Sequence, residues 1–275
     1  MSDALTRAAT ALRDATESVL FLTSAGMSAD SGIPTFRDRD GYWRNFPPFK
    51  ELGLVAEELA SPYSFRIRPE RSWAFYEWRR RNAHTNQPHA GYAILNALMQ
   101  RSQHSFVHTT NTDGYHIRSG IEPTSVREVH GSMWRLQCLR GSRCRYGYRD
   151  SLDVPLCDLN ETTMIATTLP KCPECGELLR PHILMWGDSD YIGHPIQDDN
   201  FTSFLTEVTT PQVVVLVGSS AAVPTNDYLA ARLQRQGSLI ITINPDSASL
   251  EVCRPDIYLP FKAAHAFEEL ALKVL

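Results

Sequence analysis

The sequence has no apolar run approaching the roughly 18 residues that a membrane-spanning helix needs, so no membrane span is expected in its 275 residues. The N-terminus, Met1-Ser-Asp-Ala-Leu-Thr-Arg, has no apolar segment of the secretory kind, and Asp3, Asp14 and Glu17 interrupt any transit-peptide pattern. A cytoplasmic protein is expected. Strong charge of one sign is missing too. The net charge is −4, which argues against a broad nucleic-acid footprint. Six cysteines in a chain this long do not make a disulfide scaffold. Internal repeats and low-complexity segments are absent. So is G-x-G-x-x-G, which removes the ordinary dehydrogenase fingerprint.

What is there reads as an enzyme: 43% apolar and 21% charged residues, enough for a large core and one or two lobes. The chain is organised around Phe21-Leu-Thr-Ser-Ala-Gly-Met-Ser-Ala-Asp-Ser-Gly-Ile-Pro-Thr-Phe-Arg37. The apolar run Val19 to Leu22 leads into the small residues Thr23, Ser24, Ala25, Gly26 and Ser28. That pattern predicts a buried strand over Ser18 to Thr23 and a tight turn. Small side chains there let a phosphate-bearing ligand approach the backbone, although the same pattern also serves as a plain connection.

Leu5, Ala8, Ala9, Leu12 and Ala15 have helical spacing and predict a helix within 4–18. Polar, turn-rich residues after Arg37 and the pair Pro47-Pro48 predict a mobile loop and a small helical insertion over 35–88. Helices are predicted over 70–82, His89 to Gln100, Pro224 to Gln236 and His265 to Leu275. Strands are predicted over Ser105 to Thr109, 126–131, Val213 to Val217 and Ser238 to Ile243. The alternation predicts an α/β fold, an open parallel sheet with helices on both faces. Residues 134–180 have little periodicity and suit a small metal-held module. Cys172-Pro-Glu-Cys175 is one half of a zinc knuckle; Cys138 and Cys144, with five residues between them, are an irregular second half, for which Cys157 is an alternative. The expected metal is a closed, structural Zn²⁺.

The long string at 21–37 resembles the NAD-binding loop of the sirtuins. Four further blocks match in order: Thr110-Asn-Thr-Asp-Gly-Tyr-His116, Val129-His-Gly131, Arg180-Pro-His-Ile-Leu-Met-Trp-Gly-Asp188, and Val217-Gly-Ser-Ser220 with Ile243-Asn244. The resemblance spans most of the chain. It implies a Rossmann-like large domain (1–34, 89–133, 181–275) and a smaller domain made of the helical insertion 35–88 and the zinc-binding module 134–180. NAD and an acylated protein lysine would meet between them. It further implies that Ser24, Ala25, Gly26, Ser28, Ile33, Phe36, Arg37, Thr110, Asn111, Thr112, Asp113, Gly218, Ser219, Ser220 and Asn244 bind the cofactor.

His130 takes the position of the family's general base, a role an imidazole suits because its unperturbed pKa lies near 6.5. Asn111 would position a water and the ribose, and Asp113 the nicotinamide carboxamide, whose N–H groups a carboxylate accepts. Without the resemblance, Asn-Thr-Asp-Gly reads as a turn. His116 is expected to be structural. Leu184, Trp186 and Gly187 would border the acyl-lysine tunnel. Tyr76 and Arg79, three apart on one helix face, resemble the Tyr-x-x-Arg pair of class III sirtuins, which prefer succinyl-, malonyl- or glutaryl-lysine.

Several positions depart from the family pattern. Ser24 replaces the first Gly of Gly-Ala-Gly. Thr110 and Thr112 replace the Gln and Ile around Asn111. Asp38 replaces a Gly, and Trp186-Gly187-Asp188 replaces Phe-Gly-Glu. Gly218 to Pro224 is one residue shorter than the common pattern. The resemblance implies an NAD-dependent protein-lysine deacylase that releases nicotinamide and O-acyl-ADP-ribose. The alternative is a mono-ADP-ribosyltransferase or NAD glycohydrolase on the same fold.

Overall fold

The computed structural model describes residues 2–35, 49, 51–54 and 56–275. The loop expected after Thr35, with Phe36, Arg37 and Asp38, lies outside the described residues.

Six parallel strands form the main sheet: β1 (Ser18–Thr23), β2 (His104–Thr109), β3 (Val126–Glu128), β9 (Val213–Val217), β10 (Leu239–Ile243) and β11 (Ile257–Leu259). Their order is β11-β10-β9-β1-β2-β3. Every residue of β1 and of β9 is buried, as a strand covered on both faces requires. Side chains alternate between the faces. Val19, Phe21, Val215 and Ile241 pack with the helices Ser2–Asp14, Ala90–Met99 and Ala263–Val274. Leu20, Leu22, Val214 and Ile240 pack instead with Phe201 and Phe204 of Pro195–Glu207 and with Ala230 and Leu233 of Thr225–Arg235. The sheet is therefore doubly wound. The helix Pro195–Glu207 and strand β11 had no counterpart in the sequence reading.

The chain leaves β1 toward β2 and β3, then returns to the other side of β1 for β9, β10 and β11. The turns after β1 and β9 consequently diverge, and a crevice opens at the carboxyl ends of these strands. Backbone contact bridges its floor. Ser24 N–H donates to Val217 O at 2.9 Å and Gly26 N–H to Gly218 O at 3.0 Å. A Cβ on Gly26 would stand 2.6 Å from Gly218 Cα, and one on Gly218, whose φ is +64°, would land on Gly26 Cα.

Beside the sheet lies a three-stranded antiparallel sheet, order β5-β4-β8: β4 (Gly131–Cys138), β5 (Tyr148–Asp150) and β8 (Leu179–Ile183). A hairpin of β6 (Asp158–Asn160) and β7 (Ile165–Thr167) accompanies it. Strands β4 and β8 each run across a boundary where the composition changes, near 134 and near 180. The strand expected over 126–131 is split: β3 ends at Glu128, and Gly131, in the left-handed region at φ +77°, starts β4. His130 thus lies in the turn between two strands, where the chain changes sheets.

The long helix Pro69–Thr85 ties the helical insertion to the cysteine module. Trp73 Nε1 donates to Leu179 O at 3.0 Å. Buried Arg80 donates to the carbonyls of Met133, Ser151 and Asp153. Arg81 reaches Glu77 at 2.8 Å and Cys157 O at 3.0 Å. Among the described residues no helix is long and apolar enough to cross a membrane.

Gly218→Ala combines a left-handed backbone with a backbone clash, so it should destabilise the fold by about 3 kcal/mol. Gly26→Ala should cost less, because only the clash applies. Urea unfolding of both variants checks the order.

Candidate active site

The crevice above β1 holds a buried polar cluster centred on the Ser28 hydroxyl. It donates to Asp113 Oδ2 at 2.6 Å and accepts from Asn111 Nδ2 at 2.9 Å. With that proton committed, Tyr92 OH, 2.8 Å away, is the donor to Ser28. Asp113 Oδ1 accepts from Tyr115 N–H at 3.0 Å, and Trp134 Nε1 donates to the Asp113 carbonyl at 2.6 Å. Burial pushes the Asp113 carboxyl above its ordinary range; the bonds from Ser28 and Tyr115 and the charge of Arg79 oppose this.

Hydroxyls support the cluster from below. Thr23 Oγ1 donates to Thr109 Oγ1 at 2.8 Å, and Asn111 N–H donates to the same oxygen at 3.1 Å. His116 Nε2, 3.1 Å from Thr23 Oγ1, must then carry its proton and donate. Burial lowers the His116 pKa to about 3, so the ring is a neutral structural donor. Two of the departures meet here: Thr110 Oγ1 donates to Ser24 Oγ at 3.1 Å, and Asn226 Nδ2 donates to Ser24 Oγ at 3.2 Å.

His130 is half-buried at the edge of the crevice. Burial lowers its pKa below 6.5, and a hydrogen bond to the Thr110 backbone opposes the shift. Its carbonyl accepts from Leu184 N–H at 3.0 Å, which joins the turn to the segment after β8.

On the other side of the Gly26–Gly218 contact, Ser219 Oγ donates to Asp227 Oδ2 at 2.6 Å. Buried Asn244 donates from Nδ2 to Ser219 O, and Tyr258 OH donates to Asn244 O at 2.8 Å. Ser220 Oγ accepts only a long bond from Ala222 N–H, 3.4 Å. Ala25 and Ile33 are half-buried beside the same crevice.

Arg79 turns toward this loop: its Nη2 donates to Thr112 Oγ1 at 3.3 Å, and its guanidinium lies 5.4 Å from the Phe75 ring centre and 5.7 Å from that of Tyr76. Tyr76 is buried, and its phenol pKa is pushed up to about 12 by that burial. Its ring stacks on Phe65 at 5.8 Å. Close by, the fully buried pair Arg180–Asp188 at 2.6 Å anchors the segment that carries Leu184, Trp186 and Gly187. Trp186 is 58% exposed. Tyr92, Trp134 and Asn226 are contributors that the sequence reading missed. No motif singles them out, and only the fold brings Tyr92 to Ser28, Trp134 to Asp113 and Asn226 to Ser24.

Cys138, Cys144, Cys172 and Cys175 converge, with sulfurs 3.6 to 3.7 Å apart for the pairs 138–175, 144–172 and 144–175. A tetrahedral zinc with Zn–S near 2.3 Å requires about 3.8 Å between sulfurs, whereas a disulfide requires about 2.05 Å. The four thiols therefore fit a structural Zn²⁺. The alternative ligand Cys157 is not among them: it is buried by the Arg81–Glu77 pair, and burial pushes its thiol up to about 12. Metal analysis of the purified protein should find about one zinc per chain. Cys172→Ser should lose it and lower the melting temperature.

The sequence matches the family model described as the Sir2 family over residues 24–225. It is 33% identical over 236 residues to an NAD-dependent protein deacylase of Aquifex aeolicus, covering 84% of this chain and 85% of that one. An NAD-dependent protein deacylase of Archaeoglobus fulgidus is 32% identical over 253 residues, 92% and 91% of the two chains. Among solved structures, a Sir2 homologue in complex with ADP-ribose superposes with a TM-score of 0.77 at 30% identity, covering 98% and 95%. A Sir2 homologue in complex with NAD gives 0.76 at 30% identity, covering 98% and 93%. The polar crevice at the strand switch point and the four-cysteine module thus sit in a chain that belongs to the Sir2 family of NAD-dependent protein deacylases.

Proposed function

We propose that the crevice removes acyl groups from protein lysines with NAD as co-substrate, and that it favours acyl groups ending in a carboxylate. The observation that carries the first part is the buried Asn111–Ser28–Asp113 cluster beside a half-buried histidine. The residues fit the dinucleotide. Gly26 and Gly218 leave bare backbone where a diphosphate would lie, and the turn at Ser219 is held from behind by Asn244 and Asp227. When bound, NAD supplies an electrophilic ribose carbon that gives up nicotinamide. Asp113 would hold its carboxamide, and the desolvation around Asp113 strengthens that bond. Asn111 orients the ribose. His130, kept neutral by its burial, accepts a proton from a ribose hydroxyl.

The second part rests on Arg79. It lies on a helix whose residues 72–77 are buried, and its head meets Thr112, one of the departures from the family pattern. A guanidinium fork there pairs with a terminal carboxylate, and the Tyr76 phenol adds a hydrogen bond.

Nicotinamide release and peptide mass with acetyl-, succinyl- and non-acylated lysine peptides test this reading. Peptide-dependent release with loss of the acyl group is expected. Release without peptide, or a peptide that gains ADP-ribose mass, sinks it in favour of hydrolysis or ADP-ribosyl transfer. Arg79→Met should lower kcat/KM for succinyl peptide by about 10- to 100-fold relative to acetyl. Thr112→Val keeps the shape but removes the acceptor, so it should shift the succinyl-to-acetyl ratio the same way by less, through KM.

The pH profile follows from the direction of the His130 shift. The working form is neutral and the pKa lies below 6.5. The acid limb of kcat/KM should therefore have its midpoint, where half of the activity is lost, below pH 6.5. A midpoint at or above 6.5 contradicts the assignment of His130 as the base.

A further inference from the structure

A second cleft, of about 520 Å³, shares no residue with the Ser28–Asp113 cluster. Its floor is apolar: Phe65, Leu139 and Leu178. Its rim carries Arg66, Arg140 and Arg143, with Glu177 as the acidic member. The volume is that of a ligand site, and the rim has a positive excess.

The guanidiniums are oriented. Asp190 accepts from Arg66 Nη2 at 2.8 Å and from Arg143 Nη2 at 3.1 Å to each carboxylate oxygen. Arg143 Nε donates to Arg140 O at 3.3 Å. Asp190 is itself held, by Gln137 Nε2 on its carbonyl at 3.0 Å and by its own N–H to Asp188 Oδ1 at 3.1 Å. One carboxylate thus fixes two forks without using all of their N–H donors, of which each guanidinium has five. Arg140 is exposed and has no side-chain acceptor among the described residues. Glu177 Oε1 is engaged by Leu178 N–H at 2.8 Å.

The position of the cleft says what fills it. Asp190 is two residues past Asp188, in the segment that carries exposed Leu184 and Trp186. Trp186 N–H donates to Ala60 O at 3.3 Å, next to the helix Pro62–Ile67 that carries Arg66. The segment that carries Trp186 and the arginine rim therefore share one support. We propose that this cleft binds the carboxylates of an acidic segment of the substrate protein, outside the acylated lysine itself. The proposal rests on the deacylase reading for the identity of that protein, but its binding step does not require turnover.

Two arms test it. In the first, a labelled Glu-rich peptide without acyl-lysine is titrated with the wild-type protein, Arg140→Glu and Arg66→Glu, by fluorescence anisotropy at low and raised salt. The wild type should bind it, with affinity falling as salt rises, and each reversal should weaken binding about tenfold. In the second arm, kcat/KM is compared for one acyl-lysine peptide with neutral and with acidic flanks. The acidic peptide should be favoured, and Arg140→Glu should bring the ratio close to one. Zinc content checks that both variants keep the cysteine module. Absence of peptide binding by the wild type overturns the proposal. So does equal binding by all three proteins, or tighter binding of a single-stranded RNA of the same charge. If no acyl peptide is turned over while the anisotropy arm succeeds, the deacylase reading fails and the cleft assignment stands.

Discussion

The backbone contact between Gly26 and Gly218 is the constraint on which the site depends. Parallel strands β1 and β9 are neighbours, yet their following turns must diverge because the chain continues to opposite sides of the sheet. Without side chains at these two positions the turns touch through an N–H···O bond and still expose backbone to the crevice. A methyl group at either position would force the turns apart. The polar residues on one side of the contact (Ser24, Ser28) and on the other (Ser219, Asn244) would then lose their common spacing. Glycine here serves close approach first and, at Gly218 alone, left-handed geometry second.

Above that floor, burial sets the electrostatics. Asp113 is 4% exposed and has no direct ion pair among the described residues, and desolvation raises its pKa even though several groups donate to it or attract it. The same desolvation lowers His130 and His116. The outcome differs with the hydrogen bonds available. His116 is enclosed and locked to Thr23, whereas His130 keeps an open edge and touches Thr110. Two histidines 14 positions apart thus differ in exposure and in hydrogen-bond partners, His116 enclosed and His130 at the crevice edge. The zinc module contributes indirectly. It fixes the end of β4 and the start of β8, and just past the far end of β8 Leu184 holds the His130 carbonyl.

Much of this was legible in the sequence for a plain reason. Strands buried on both faces are written as unbroken apolar runs, so Val213 to Val217 and Ser18 to Thr23 stood out. The Pro69–Thr85 helix was visible in its central residues. The helix Pro195–Glu207 was not, because its apolar anchors Phe201 and Phe204 are separated by polar residues and a histidine cap starts it. Strand β4 was hidden because its pairing with β8 spans a long, irregular excursion. The cysteine spacing left Cys157 open as a ligand, and only the fold, which places it against Arg81 and Glu77, removes it. Tyr92 was legible as a core residue of a helix but not as the donor to Ser28, since a hydroxyl's partner is a tertiary fact.

The departures from the family pattern are better understood in pairs than one at a time. Ser24 and Thr110 stand where the family has a glycine and a long amide, and here their hydroxyls bond to each other, that of Ser24 also accepting from Asn226. A buried hydroxyl introduced alone would be left unsatisfied at a cost of roughly 1–3 kcal/mol; introduced with its partner it is satisfied and the turn after β1 is tied to the turn after β2. Thr112 and Arg79 follow the same logic. An apolar side chain at 112 offers the guanidinium nothing, whereas the threonine hydroxyl gives it an acceptor beside Asp113. The substitutions nearest Asn111 therefore exchange one set of compatible contacts for another. Beside them Asn111 and Asp113 both bond to the Ser28 hydroxyl, and Arg79 is held at Thr112.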